Sequence, residues 1–272
     1  MIDENVTGAN HPIPAGFFQE FEKQRTIPQK LLSILVRLER RILWPHPNAY
    51  ILATFGLKRR ANAVFPFHYS LRRRALFSDN YDLLVDGFKR SANTYASVAF
   101  RLSQPNLRVR CHCHNPMYVI QSVRWGKPVC VLVRNPVAAI SSFVIHSRRN
   151  FSSAIEDYID YYRTLIPYRR NILIVSFDQV TNDFRGVVRA VNSRYGIGLK
   201  LPEINEEFKN KIFEGIQSLP WGHDPLTVSM PNPERSRLLT EANFILKASI
   251  YKERIQLAQT LYDIFLADAA TE

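Results

Sequence analysis

YDLLVDGFKRSANTY, residues Tyr81 to Tyr95, runs from a strand signal through a turn into a helix start. Leu83-Leu84-Val85 is a short apolar run of the kind that forms a buried strand. Asp86-Gly87 breaks the run, Phe88-Lys89-Arg90 makes a loop, and Ser91 stands at an N-cap position ahead of Ala96-Ser97-Val98-Ala99-Phe100. Such a turn gathers free backbone N–H groups and the positive end of a helix dipole at one point. That point suits a phosphate or a sulfate, and Lys89 and Arg90 add two charged donors. Against the Walker A pattern GxxxxGK[ST], Gly87 to Thr94 keeps the length and the final Thr. The second Gly is Ala92 and the Walker Lys is Asn93, which removes the β/γ-phosphate contact that an ATPase or GTPase needs. The plain alternative is a basic surface turn ahead of a helix.

Downstream, apolar runs alternate with amphipathic stretches, which implies a mostly parallel sheet with helices on both faces. Strands are expected at 82–86, 107–113, 128–134 and 171–177, and helices at 92–103, 116–124, 136–147, 152–169, 183–195 and 203–215. A last helical segment, Glu234 to Ala269, follows Asn232-Pro233 and is expected to break near Lys247 to Ser249. The fold class is α/β, three layers in a single domain. Residues 81–272 form its core and C-terminal helices, and residues 1–80 a helical, basic subregion.

Upstream, Pro28 opens an expected helix with Leu31, Leu32, Leu35, Val36, Leu38 and Ile42 on one face and Arg37, Arg40 and Arg41 on another, ended by Trp44-Pro45-His46-Pro47. Between Lys23 and Arg74, twelve Lys and Arg face Glu39 alone, so this segment carries +11 of the chain's +12. A nucleic-acid binder, a protein at an anionic membrane surface and an enzyme for anionic substrates all fit that charge. So does the solvated face of a packed helix. With 272 residues, 46% of them hydrophobic, the chain has ample material for a core. No run approaches the ~20 apolar residues of a membrane span. MIDENVTGANHP has neither a basic start nor an apolar stretch, so no signal peptide is expected. Three cysteines make no paired framework, and a reducing cytoplasm is the expected setting, with peripheral contact to an anionic membrane left open.

Three further stretches carry chemistry. In Val129 to Ser142, VCVLVRNPVAAISS, Arg134 ends an apolar strand and Pro136 suits helix position N1. Ligands of open α/β sheets bind at the carboxyl ends of strands, so Arg134 points toward the edge that carries Lys89 and Arg90. Ser142, a little over two helical turns on, can face the same way, and an Arg fork with a hydroxyl suits a phosphate monoester. In Arg110-Cys-His-Cys-His-Asn-Pro116, strand alternation would put His112 and His114 on one face and the cysteines on the other. No second Cys/His cluster completes a zinc site, so no metal is expected. A histidine is matched to general-base work near neutral pH, while His112 reads as a packed or surface histidine. Last, PNPERSR, 231–237, brings Arg235 and Arg237 after an irregular Pro/Gly-rich stretch.

These motifs resemble those of the PAPS-dependent sulfotransferases. Gly87 to Tyr95 is similar to their loop G-[FY]-P-[KR]-S-G-[NT]-T-W, Arg134 to Ser142 to R-[ND]-P-x-D-x-x-x-S, and His114 to the His of [ST]-H-x-P at the end of the second core strand. The resemblance covers roughly 83–199. It implies a P-loop sulfotransferase fold, PAPS (3′-phosphoadenosine 5′-phosphosulfate) as donor, PAP as product, and sulfuryl transfer to a hydroxyl or amine. It also implies roles. Ser91, Ala92, Asn93 and Thr94 with the loop amides would hold the 5′-phosphosulfate. Arg90 would neutralise the leaving oxygen, assisted by Lys89, which stands at the family's Pro. Arg134 and Ser142 would hold the 3′-phosphate, with Arg235 and Arg237 in place of the family's late basic loop. Tyr95, at the family's Trp, would stack on adenine, and His114 would be the general base. Ala92 departs from the family's Gly and Ala138 from its Asp. The acceptor is a glycolipid, a carbohydrate or a small natural product, and no nucleic acid is expected as partner. The rival reading is a non-catalytic nucleic-acid or membrane-surface binding protein on a degenerate P-loop scaffold, which the +11 segment and Ala92 favour.

Overall fold

The structure, a computed structural model, describes residues 79–219 and 233–269, together with 18, 38, 41–44, 46–50, 228 and 230. The expectations for most of the basic segment 23–74 and for most of 219–232 lie outside the described residues.

In chain order the elements are β1 (Leu83–Gly87), α1 (Asn93–Ser103), β2 (Val109–Cys111), α2 (Pro116–Arg124), β3 (Val129–Val133), α3 (Pro136–Ser147) and α4 (Phe151–Leu165). Then follow β4 (Leu173–Ser176), α5 (Phe177–Asn182), α6 (Phe184–Tyr195), α7 (Glu206–Gln217), α8 (Pro233–Leu246) and α9 (Lys252–Ala269). The strands form one parallel sheet in the order β2-β1-β3-β4. Successive strand side chains point to opposite faces, so each apolar run feeds two cores. Leu84, Val129, Val131, Val133 and Ile174 pack under α2, α3, α4, α8 and α9. Leu83, Val85, Cys130, Leu132, Leu173 and Val175 pack under α1, α5, α6 and α7. A sheet covered on both faces is why these strands read as unbroken apolar runs. The result is the expected α/β architecture, a parallel sheet between two helical layers.

Beyond shifts of one or two residues at element ends, the structure departs from expectation in these places. β2 ends at Cys111 because the chain turns out of the sheet: His112 and His114 take the left-handed φ values of 60° and 49°. The His114 N–H donates to Asp86 Oδ1 at 2.9 Å instead of to a strand. His112 and His114 therefore do not share a strand face; their rings meet edge to face with centroids 5.7 Å apart. α4 stops at Leu165, and a 3-10 turn, Ile166–Asn171, carries Pro167, which has no N–H for the helical ladder. The short helix α5 was not expected; its Ser176 and Gln179 form a reciprocal capping box, a signal present in the sequence. α7 begins at Glu206 behind an Asn205 cap, later than the expected 203. The break in the last helix falls as expected, with α8 ending at Leu246 and a 3-10 turn at Ser249–Tyr251 before α9.

Gly87 closes β1 opposite Leu132. A Cβ there would overlap the Leu132 carbonyl oxygen, so the close approach of the two strands requires glycine. Gly87→Ala should cost about 1–3 kcal/mol, the usual penalty of an overpacked core. Urea unfolding should show it as a lower midpoint with an unchanged slope; an unchanged midpoint would mean that the strands separate at no cost.

Candidate functional site

β1 delivers the loop to the carboxyl edge of the sheet. Phe88 anchors it, 3% exposed, edge-on to Phe143 and Tyr158 at 5.4 and 5.1 Å between centroids. Arg90 and Ala92 then adopt φ of 69° and 67°. Ala92, not Ser91, is the N-cap of α1, and its side chain makes no cap hydrogen bond. The first amides of α1 thus have no side-chain cap from Ala92. Left-handed residues set between right-handed ones turn successive N–H groups to one side, the concavity that binds anions. Ser91 is fully buried, beside the Tyr162 hydroxyl whose own proton goes to Leu132 O. Ser91 Oγ and Asn93 Oδ1 are buried without a hydrogen-bond partner among the described residues. Asn93 Nδ2 donates to Phe88 O at 3.0 Å. Thr94 is 8% exposed at the first turn of α1. Tyr95 packs between α1 and α7, its ring edge-on to Phe213 at 6.2 Å. The ring is 8% exposed.

Arginines from three distant segments gather here: Arg90 and Arg235 on Ser142, and Arg134 beside them on the Arg90 carbonyl. Arg90 Nε donates to Ser142 Oγ at 3.1 Å and Arg90 Nη2 to Val228 O at 3.1 Å. Arg235 Nη2 donates to the same Ser142 Oγ at 2.5 Å and its Nη1 to Val228 O at 2.5 Å. Arg134 Nη1 donates to Arg90 O at 2.8 Å while its guanidinium lies over the Phe177 ring at 4.0 Å. Burial first, and then the charges of Arg235 and Arg134, push Arg90 well below the ordinary arginine value. Burial pushes Arg134 down to about 10, with Asp178 opposing. Burial and Arg134 push Arg235 to about 10. Ser142 itself is 2% exposed. Of the expected pair, Ser142 is bonded by Arg90 and Arg235, and Arg134 reaches the same cluster through Arg90 O. Arg237 is not: it is exposed, two residues and about 200° round the helix from Arg235.

Lys89 goes the other way. Its ammonium sits over the Phe143 ring at 4.6 Å, and it lines a cavity of ≈ 10 Å³ with Trp44, Phe88, His114, Asp157 and Tyr161. That is room for one water. His114 Nδ1 lies 3.0 Å from Gly87 O. A carbonyl oxygen only accepts, so Nδ1 carries the proton and the neutral ring presents its lone pair at Nε2. Burial, then Arg101, pushes His112 below its ordinary value, which fits a packed histidine. Among the described residues no group of three or more His, Cys, Asp or Glu could hold a metal ion. A larger open cleft of ≈ 480 Å³, between Arg170-Asn171 and Ser193 to Tyr195, lies at the amino end of β4, away from every candidate residue.

The sequence reading missed Asp86 and the tyrosines of α4. Asp86 is 0% exposed, and Tyr161 OH donates to its Oδ2 at 3.0 Å. Burial pushes its carboxyl up to about 7 against the hydrogen bonds of His114, Tyr161, Gly87 and Asn115. An acid inside an apolar strand was the available signal.

No protein-family model and no curated protein sequence matches the chain. Among solved structures, the mouse sulfotransferase SULT7A1 complexed with PAP is similar at 12% identity and a TM-score of 0.41, over 69% of this chain and 94% of that one.

The arginine cluster makes a direct prediction. Inorganic pyrophosphate should raise the unfolding midpoint well above sodium chloride of equal ionic strength. Ligand at a hundredfold excess over Kd is worth about 2.7 kcal/mol. Arg235→Gln should remove most of the anion-specific gain, as read by differential scanning fluorimetry. Equal shifts for the two salts would mean that the cluster holds no anion.

Proposed function

We propose that the protein is a sulfotransferase that takes PAPS as donor and modifies a hydroxyl or amine of a small or lipid-borne acceptor. The observation that carries this reading is the meeting of Arg90 and Arg235 on Ser142, with Arg134 bonded to Arg90 O, close to a helix start without a side-chain cap. Buried guanidiniums that repel one another call for a ligand with more than one negative charge. A loop of left-handed residues and helix amides a few residues away offers a second anion subsite on the same edge.

The residues present fit PAPS. Arg134, Arg235, Arg90 and Ser142 would hold the 3′-phosphate. Ser91, Thr94 and the amides of the loop and of α1 would hold the 5′ end. PAPS supplies an activated sulfuryl group on a phosphate leaving group. Lys89, not Arg90, faces the His114 cavity, so Lys89 is the cation placed to neutralise charge at the transfer end. This reverses the weight that the loop motif alone gives the two residues. His114 Nε2 takes the proton of the acceptor hydroxyl as that oxygen attacks. Phe88, Trp44 and Tyr161 wall the cavity beside His114.

Three measurements test the reading. PAP should stabilise the protein and ATP-Mg or an oligonucleotide should not; the reverse pattern would favour the nucleic-acid reading. Arg134→Ala should weaken PAP by roughly 1.5–3 kcal/mol, the scale of a charged hydrogen bond, and adenosine 5′-phosphosulfate far less. In turnover assays read by mass spectrometry of the sulfated product, His114→Ala should lower kcat by about 10²–10⁴ with PAP affinity unchanged. His112→Ala should stay near wild type. Full activity in His114→Ala would place the base elsewhere.

A further inference from the structure

We infer that Asp86 is the positioning residue for His114: it fixes which imidazole nitrogen faces the acceptor, and as a carboxylate it steadies the imidazolium formed there. The inference rests on reading His114 as the base.

Asp86 stands inside β1, between Val85 and Gly87, where every neighbour is buried. Its Oδ1 accepts the His114 N–H at 2.9 Å and its Oδ2 accepts the Tyr161 hydroxyl at 3.0 Å. The backbone N–H groups of Gly87 and Asn115 also hydrogen-bond to it. Four donors converge on one carboxyl. An ionised carboxylate only accepts and satisfies all four, whereas a neutral acid brings a proton of its own to a place crowded with donors. The geometry is thus built for the charged form, although full burial opposes charge. A strand that otherwise reads Leu-Leu-Val could have carried a fourth aliphatic residue there, so the charge is held against the interest of stability. Such groups concentrate at working sites.

The link to His114 runs through two contacts. By holding the backbone of residue 114 in its left-handed turn, Asp86 sets the ring against Gly87 O, with Nδ1 donating and Nε2 facing the cavity. Asp86 Oδ1 also lies 3.9 Å from His114 Nδ1. When Nε2 takes the acceptor's proton, the new positive charge is met by this carboxylate in a place where water screens little. The other groups facing Asp86 are Tyr161 and Tyr162 from α4, Tyr118 from α2 and Cys111 from β2. Burial raises all four, so they stay neutral around pH 7. Lys89 and Asp157 lie across the cavity.

The test is Asp86→Asn in the full chain. The amide is accommodated if the Tyr161 hydroxyl turns to accept from it, so folding is expected to survive. The folded carboxyl titrates near 7 against 3.8 unfolded. The contribution of Asp86 to wild-type stability is therefore greatest below pH 4 and declines as pH rises toward 7, and the variant should lack that component of the pH dependence. At pH 8 the variant should unfold at or above the wild-type midpoint, yet its kcat should fall about tenfold or more. KM and PAP affinity should stay near wild type. The ascending limb of kcat as the carboxylate forms through about pH 7 should also disappear. A purely structural Asp86 gives the opposite pattern: lower stability at pH 8 with kcat and KM changing together. Histidine ¹⁵N NMR provides a readout without turnover. The His114 ring should show the Nδ1–H tautomer in the wild type and titrate at lower pH in the variant. An unchanged ring signal overturns the Asp86 inference alone, whereas full activity in His114→Ala overturns the base reading and the inference with it.

Discussion

Once helices cover both faces of a sheet, each carbonyl at its carboxyl edge needs a donor from the protein. In this structure α4 supplies them from a single face. Tyr158 donates to Arg134 O at 2.8 Å, Tyr161 to Asp86 Oδ2 at 3.0 Å and Tyr162 to Leu132 O at 2.9 Å. None of the three is more than 2% exposed. Residues at i, i+3 and i+4 share one face of a helix, so α4 cannot slide or roll without orphaning all three groups. Each orphan would cost about 1–3 kcal/mol. Phenylalanines would bury similar area and leave the edge unsatisfied. The hydroxyls therefore do more than pack: they fix the height of the edge on which the loop, Arg134 and Asp86 are mounted.

The charges gathered on that edge act against one another. Elsewhere, arginines are met by carboxylates: Arg149 by Asp157 at 2.9 Å, Arg169 by Asp268 at 2.8 Å, Arg254 by Glu156 at 3.0 Å. At Ser142 the partners that stand out are a hydroxyl and the carbonyl of Val228, which carry partial charge only. Burial and mutual repulsion act in the same direction on Arg90 and Arg235. Such a cluster is expensive for folding, and a bound polyanion converts that cost into affinity. The fixed edge makes this possible, because a softer one would let the guanidiniums swing apart into water.

Much of this was legible before any coordinates. Parallel strands buried on two faces read as continuous apolar runs, so β1, β3 and β4 stand out in the sequence. Arg134 and Ser142 followed from a strand end and a helical spacing. Other features depend on contacts far apart in the chain. Asp86-Gly87 reads as a turn signal, yet β1 runs through both residues. The partners that make an acid tolerable there come from residues 28 and 75 positions away. The same contact ends β2 early, since His114 spends its N–H on Asp86. Tyr158, Tyr161 and Tyr162 read as an apolar helix face, and nothing local reveals where their hydroxyls end. Arg235 and Arg237 looked equivalent until the start of α8 at Pro233 set their phase.

The loop itself shows how one short segment serves two places. Lys89 and Arg90 are adjacent, yet one lines the cavity of His114 and the other reaches Ser142 and Val228. The left-handed turn at Arg90, repeated at Ala92, is what throws the two side chains apart. For residues with a Cβ this conformation costs on the order of 1–2 kcal/mol each, and two of them in three positions is a strain that the surrounding packing has to hold. A plain helix N-terminus gathers its donors on one group, and a single inorganic anion satisfies it. Here the donors are divided between two ends, with the loop amides and Ser91 between them. The arrangement is therefore matched to a ligand whose negative charges are themselves separated, one group at the arginines and another toward Lys89. A lone sulfate or phosphate would leave one of those ends unmet.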